Sequence, residues 1–357
     1  SDILTYHKAD VPEPSGPTMD LTATNIVIAT GAKPRPLPGN PFAGALIDST
    51  QALEVNEFPS SAVIIGAGAI ALEFASMWNA AGSKVTLLIR KDRVLSAWDR
   101  RAGTTLTREL KRHGVNIITR ASVTHVDTGA NLGATVHYTR EGQDGEQSVW
   151  GEIALVAIGR DPITDPAWGV TIDDHGHVAT DAYGRTDKPG VWAVGDVTAG
   201  HALAHRAFEQ GIVIAETIAG LNPKPVDEAT VPQIVFSFPE AASVGLTVEQ
   251  AQAREDLIEI KETNYPMLAN ARMLMSGTAG SLTIVSGCDA TNPDTPRVLG
   301  VHMVSQMASD IIAEAEQLVG NHMPLADAAR LVHPHPTFSE TLGEALLKAD
   351  GRPLHTR

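Results

Sequence analysis

The sequence predicts an α/β protein with a parallel strand–helix–strand unit in its first third and a smaller α+β domain at its end. Three observations carry this. An apolar strand, Ala62-Val63-Ile64-Ile65, runs into Gly66-Ala67-Gly68 and a helical pattern to about Ala81, and a second strand, Lys84 to Ile89, follows. Helix and strand then alternate again through Val115 to Ile118, as in a parallel sheet. From about Val231 the order changes to strands followed by one well-marked helix, Ala308 to Val319, which marks a separate domain.

Taken in order, residues 1 to 25 are mixed, and Pro12, Pro14 and Pro17 break any regular element. Ile26 to Ala29 is a continuous apolar run ending at Thr30-Gly31, read as a buried strand entering a turn. Pro34, Pro36, Pro38 and Gly39 make the next stretch an extended connector. Gly82 sits where a helix C-cap is expected. Strands continue to about Gly151, and Glu152 to Ile158 is another, ending in Gly159-Arg160. Gly190 to Val194 ends in Gly195-Asp196, with a long helical pattern near Leu203 to Ala219. In the last domain Ile234 to Ser237 and Ser281 to Val285 read as strands, and no period of a repeat protein recurs.

At 357 residues the chain has room for two or three domains. No apolar run is long enough to span a bilayer, and Ser1 to Thr5 show no secretory pattern. A net charge of −15 argues against a nucleic-acid surface, which is built from clustered Lys and Arg, and suits an acidic cytoplasmic enzyme. The single cysteine, Cys288, excludes an intrachain disulfide and fits a reducing compartment. It stands beside a Pro/Asn/Asp-rich stretch that reads as a loop, with no basic residue nearby to activate it.

Gly66 to Ala71 reads G-x-G-x-x-A. The pattern is weak alone, but here it follows a strand, opens a helix and precedes a second strand. Gly66 permits the tight turn, Gly68 lets the backbone approach a pyrophosphate, and Ala71 lets the helix pack closely on the sheet. The helix N-terminus, with Ala69 and Ile70, then offers unpaired N–H groups and a positive dipole end to the phosphates. A Gly-rich turn in an ordinary α/β domain is the competing reading. The end of the second strand selects the nucleotide. An acid there would bond the ribose 2′-hydroxyl of NAD, whereas cations would meet the 2′-phosphate of NADP. The sequence has Ile89 where the acid is expected, with Arg90 and Lys91 directly after it, so NADP is favoured and NAD remains open. Solvated surface cations are the alternative.

Thr24 to Pro34 and Gly190 to Asp196 are each a strand ending in a small-residue turn, and they flank the nucleotide unit on both sides. An Asp at such a strand end can accept hydrogen bonds from sugar hydroxyls. The helix starting near Leu203 can aim its N-terminus at an electron-rich ring edge. With A-T-G (29–31), G-A-G-A-I-A-L-E (66–73), A-I-G-R (157–160), V-G-D (194–196), L-A-H-R-A (203–207), S-V-G-L-T (243–247) and H-P-H-P-T-F-S-E (333–340) in this order, the chain resembles the flavin-dependent pyridine nucleotide–disulfide oxidoreductases along its whole length. The resemblance implies a Rossmann-like dinucleotide-binding domain inserted in a partial FAD-binding domain, followed by an α+β dimerisation domain. The expected division is 1–48 and 160–227 for FAD, 49–159 for NAD(P), and 228–357 for the interface.

By that resemblance Thr30, Gly31 and Asp196 would hold FAD, with Asp196 on the ribityl chain and Ala202, Leu203, Ala204 and His205 at the isoalloxazine. Glu73 would sit near the nicotinamide and Gly159 would line the nucleotide groove. His335, the His before Pro-Thr, would pair with Glu340 as a proton shuttle serving the dithiol site of the other subunit, which implies a homodimer. Two surface histidines in a Pro-rich turn are the alternative, and His333 lies outside the matched spacing. The family's first G-x-G-x-x-G unit and its redox-active cysteine pair are absent from the sequence, so a fragment of a larger enzyme, inactive alone, is expected. The C-terminal segments resemble lipoamide dehydrogenase, whereas Arg90, Lys91 and Ala71 resemble the NADPH-using reductases, which carry a second arginine where Ser96 stands. The expected substrate is a lipoyl-type or small-molecule disulfide. A glutathione-, mycothione- or mercuric-reductase type, a flavin transhydrogenase without dithiol chemistry, and a nucleotide-binding module without activity are the other readings.

Overall fold

Five parallel strands form the sheet that carries the nucleotide motif. Their order is Leu46–Ile47, Ile153–Val156, Ser61–Ile65, Lys84–Leu88 and Asn116–Ile118. The central strands are buried on both faces from Ala62 to Ile65 and from Ala154 to Val156, as a covered parallel sheet requires. The Ala69–Ala80 helix packs on them through Ala71, Leu72, Phe74, Ala75 and Trp78. Trp78 is fully buried and its ring lies 5.1 Å from that of Phe74, a tilted aromatic pair. The helix closes at Ala81, and Gly82 beyond it takes φ +96°, the left-handed position that favours glycine. An antiparallel sheet, Ala121–Asp127, Ala134–Arg140 and Gln147–Gly151, covers the other face of this core through Val136 and Tyr138.

The computed structural model describes residues 3–4, 21–129 and 133–356. The prolines expected to break the N-terminal segment, Pro12, Pro14 and Pro17, lie outside the described residues. The chain divides into two compact units. One comprises the described residues up to Lys33 together with Arg160–Glu228, and the other runs from Pro34 to Gly159 and again from Ala229 onward. The segment 34–159 is thus inserted, in sequence, into the first unit. That first unit is centred on a parallel strand pair, Ile26–Ile28 with Val191–Ala193, and the Ala204–Ile218 helix.

The last part of the second unit is a five-stranded antiparallel sheet in the order Gln233–Val235, Glu240–Gly245, Asn292–Ser305, Ser281–Asp289 and Leu257–Pro266. The helices Ala308–Gly320, Leu325–Ala328 and Glu340–Ala349 cover it. Two expectations are corrected here. Cys288 lies within a strand, not a loop, and its thiol is fully buried. The polar stretch after it is the outer end of a long hairpin, in which Asp289 pairs with Asn292. Its polarity reports solvent on both faces, not a missing strand. The domain also holds more helix than the one expected: Val248–Gln252, Ala271–Ser276 and Leu325–Ala328 are too short to show a period, and Glu340–Ala349 is a further helix of ten residues.

Candidate active site

The nucleotide motif sits at the carboxyl ends of the parallel strands, where open α/β sheets bind ligands. Gly66 has φ +142° and donates its N–H to Leu88 O at 3.1 Å. A Cβ there would run into the carbonyl of Ala157, and the Ala71 Cβ stands 3.4 Å from the same point. Gly66 and Ala71 are therefore small because strand, turn and helix approach closely. Gly68 differs. It is exposed, its backbone is extended, and a Cβ built on it meets nothing within 4 Å. Its smallness leaves open space in front of the helix, as a pyrophosphate would need. No side chain caps this helix N-terminus, so the amides beginning with Ala69 and Ile70 are available to an anion.

Arg90 and Lys91 follow the Lys84–Leu88 strand at the same end of the sheet. Both are exposed, and neither side chain has an ion-pair partner among the described residues. Ile89 is buried in the core beneath them, so the strand end presents no carboxylate. Asp92 is turned instead toward Arg93 and Arg100, at 3.3 and 4.0 Å. Gly159, at φ +136°, follows the neighbouring strand and accepts from Arg35 N at 3.1 Å. Glu73, one turn into the helix, accepts from the Phe236 N–H at 2.9 Å, a tie across 163 positions that no local pattern signals.

In the other unit, Thr30-Gly31 and Asp196 lie side by side because their strands pair in register, Ile28 with Ala193. Thr30 Oγ1 donates to Ile163 O at 2.6 Å, and Gly31 takes φ +71° with open space at its Cβ position. Asp196 is half-buried, with the Arg160 guanidinium 4.0 Å from it. Leu203 is the uncapped N-cap of the Ala204–Ile218 helix, and Ala202, Ala204 and His205 around it are exposed. Arg206 was not anticipated from the sequence. Its buried guanidinium meets Glu228 at 2.5 Å and the carbonyl of Ala199, bracing the loop that follows Asp196.

At the C-terminus, His335 Nδ1 lies 2.8 Å from Glu340 Oε1. The imidazole side chain is 67% exposed and the carboxylate 17%. Glu340 opens the Glu340–Ala349 helix, where the dipole favours a negative charge. Its other oxygen is buried without a partner among the described residues, so Nδ1–H of the imidazole is its principal donor. Thr337 braces the turn, donating to Pro334 O at 2.7 Å and accepting from Glu340 N at 3.3 Å. His333 is not part of this pair. It is mostly buried and bonds Glu314 Oε1 at 2.8 Å through Nε2, and this hydrogen bond raises its pKa despite burial. Its ring lies against Gly343, where any Cβ would strike it, so a glycine inside a helix is required there.

Not every cavity belongs to these groups. One of about 580 Å³, lined by Asp99, Arg101, Arg108 and Glu262, contains none of the sequence-predicted residues.

These features define a flavin- and nicotinamide-linked disulfide enzyme fold. Residues 3–211 match the pyridine nucleotide-disulphide oxidoreductase family and residues 231–346 its dimerisation domain, so the chain belongs to that family. It is 37% identical over 341 residues to dihydrolipoyl dehydrogenase of Cupriavidus necator and 36% identical to that of Bacillus subtilis, covering 94% of this chain and 70% of each relative. Among solved structures it resembles LpdA from Mycobacterium tuberculosis, with TM-score 0.83 and 27% identity over 94% of this chain and 72% of that one. It also resembles the HOCl-induced flavoprotein disulfide reductase RclA from Escherichia coli, with TM-score 0.80 and 26% identity over 92% and 74% of the two chains. The family is one of FAD- and pyridine-nucleotide-dependent oxidoreductases, and the fold is a Rossmann-like domain inserted in a partial FAD-binding domain and followed by the dimerisation domain. No helix among the described residues is long and apolar enough to cross a membrane.

Proposed function

We propose that this chain provides the nucleotide site, part of the flavin site and the acid–base pair of a dihydrolipoyl dehydrogenase-like enzyme that passes hydride between NAD(P)H and a dithiol or disulfide. The observation that carries the reading is the 2.8 Å pairing of the exposed His335 imidazole with Glu340. Glu340 holds the ring orientation and its Nδ1–H tautomer, which leaves Nε2 to take a proton from a thiol and return it. When bound, FAD relays electrons between nicotinamide hydride chemistry and thiol chemistry.

In this reading Gly66, Gly68, Ala69, Ile70 and Ala71 seat the nucleotide pyrophosphate, Gly159 lines the groove, and Glu73 approaches the nicotinamide. Thr30, Gly31 and Asp196 bind FAD, with Ala202 to His205 against its ring. The division expected from the sequence, 1–48 and 160–227 for FAD, 49–159 for NAD(P) and 228–357 for the interface, is kept with 34–48 moved to the nucleotide part, since its Leu46–Ile47 strand pairs in that sheet. Leu268, Leu274, Met275 and Val332 are exposed apolar side chains of the interface segment, which suits a homodimer. Cys288, the one cysteine of these 357 residues, is buried in a strand and does not serve as a redox-active pair.

The test uses the FAD-loaded enzyme that contains this chain, with dihydrolipoamide as donor. His335→Gln should lower turnover by about 10²- to 10⁴-fold, the usual worth of a positioned acid–base group. Turnover at the wild-type rate would sink the shuttle. The unpaired Arg90 and Lys91 favour NADPH, and with it a reductase of small-molecule disulfides as the second reading. Calorimetry with NADPH and NADH decides the nucleotide. Replacing both residues by serine should weaken NADPH alone. A transhydrogenase would keep its activity in His335→Gln.

A further inference from the structure

We propose that the outer face of the antiparallel sheet in the nucleotide unit carries a site for a late first-row divalent ion such as Zn²⁺, ligated by His125, Asp127 and His137. This site is independent of the flavin, nicotinamide and His335 groups.

The strand register builds it. His125 lies opposite His137 and Asp127 opposite Thr135. Along Ala134–Arg140 the residues Ala134, Val136 and Tyr138 face the core, so His137 faces outward. On the partner strand a bulge lets Val123 pair with Tyr138 and His125 with His137, leaving Thr124 as the extra residue. That extra residue shifts the alternation and brings His125 to the outer face beside His137.

The two imidazoles stack, with centroids 4.1 Å apart and planes 8° from parallel. Both point the same way. Their Nε2 atoms lie 3.1 Å (His137) and 3.9 Å (His125) from one oxygen of Asp127. One ligand atom from each of the three residues falls within 4.8 Å of the other two. The opposite ring edges face Glu146, whose oxygens lie 3.6 Å from His137 Nδ1 and 3.8 Å from His125 Nδ1. Thr124 Oγ1 holds Glu146 in place at 2.7 Å.

Such an arrangement orders the chemistry. As the side chains stand, His137 Nε2 shares a hydrogen bond with Asp127 at 3.1 Å, and His125 Nδ1 lies 3.3 Å from Thr124 Oγ1; with the ring protons on Nδ1, the edge that faces Glu146 and Thr124, both Nε2 lone pairs would converge with a carboxylate oxygen. A cation can take the place of the proton shared by His137 and Asp127, and two imidazoles with one carboxylate suit Zn²⁺, Cu²⁺ or Ni²⁺ better than Mg²⁺ or Ca²⁺. Thr124 and Glu146, on the Nδ1 edges, would then supply the carboxylate–histidine–metal relay that fixes ring orientation. Bond lengths of about 2.0–2.1 Å to nitrogen require the rings to open from their stack. The exposed His125 ring is free to do so. Water completes the coordination.

The test is calorimetric titration of Zn²⁺ into the chelator-treated chain, paired with the electron paramagnetic spectrum of the Cu²⁺ form. One Zn²⁺ per chain is expected, with a Cu²⁺ spectrum showing two coordinated nitrogens. His125→Ala and His137→Ala should each remove one nitrogen coupling and the calorimetric site. Glu146→Gln should keep both nitrogens and weaken Zn²⁺ by about 10- to 100-fold. All three side chains are solvent-accessible, and circular dichroism of each variant confirms the fold. Uptake unchanged in a His125→Ala/His137→Ala double variant overturns the proposal, as does failure of the wild type to bind Zn²⁺ below millimolar concentration.

Discussion

Alanine at Gly68 and alanine at Gly66 should have opposite consequences, because the two glycines are small for different reasons. At Gly68, φ −91° and ψ −176° are open to any residue, and the new Cβ meets nothing within 4 Å. Folding should lose nothing, and the stiffer unfolded chain should add about 0.4–1 kcal/mol of stability. In the proposed reading the methyl group would stand where the pyrophosphate approaches the helix. One lost charge-assisted hydrogen bond is worth about 1.5–3 kcal/mol, so NADPH should bind roughly ten- to a hundredfold more weakly. At Gly66, φ +142° strains any side chain and the Cβ strikes the Ala157 carbonyl. Backbone strain of about 1–3 kcal/mol and overpacking of a similar size give roughly 2–6 kcal/mol of lost stability. For a domain this large that lowers Tm by roughly 4–24 °C. Thermal unfolding without nucleotide and calorimetry with NADPH measure the two effects separately. Wild-type affinity in Gly68→Ala would refute the pyrophosphate seat, and an unchanged Tm in Gly66→Ala would refute the close approach.

His333 has its pKa raised by Glu314, so its pairing stabilises the fold fully below the ordinary value of 6.5, and that contribution is lost as pH rises through the higher folded value. His333→Gln should flatten the fall in urea midpoint above neutrality, and an unaltered slope would count against the pair. The Cys288 thiol, buried and pushed up in pKa by that burial, should resist maleimide in the native chain and react once urea unfolds it. Prompt native labelling would contradict its place in the strand. Glu73→Gln keeps an acceptor for the Phe236 amide but removes the charge, so it should alter hydride transfer while leaving Tm near wild type. Glu73→Ala should lower both, and a Gln variant as unstable as the Ala one would show that the charge itself serves folding.

The parts legible in the sequence are those in which one local geometry dictates several neighbouring residues. Gly66 and Ala71 had to be small together because strand, turn and helix meet there, and the His335 and Glu340 pair is closed by a single turn. What stayed hidden depends on partners far away in sequence. Gly343 looks like a weak point in a helix until the His333 ring is seen against it. Arg206 reads as a surface cation, yet it is buried against Glu228 and the Ala199 carbonyl. The histidines at 125 and 137 acquire a relation only through a bulge at Thr124, a register detail that alternation of apolar residues does not encode. Polarity misled at Asn292 to Pro296, because a hairpin end with solvent on both faces has the composition of a loop.

The Ala69–Ala80 helix connects two of the proposed roles. Its uncapped N-terminus faces the nucleotide seat, while Glu73 and Ser76, one turn apart, accept the amides of Phe236 and Phe238 at 2.9 and 3.1 Å. Those amides belong to the segment between the first two strands of the interface domain. A helix is stiff along its axis, so the two bonds set the position of its N-terminus as well as the packing of that segment. Glu73 therefore has one oxygen committed to the backbone, and in the proposed reading the other serves the nicotinamide. An acid at this position is held in place by the fold before any nucleotide arrives, and its ordering is not charged against binding. That is the arrangement expected of a group whose charge serves hydride transfer from a position the fold has already fixed.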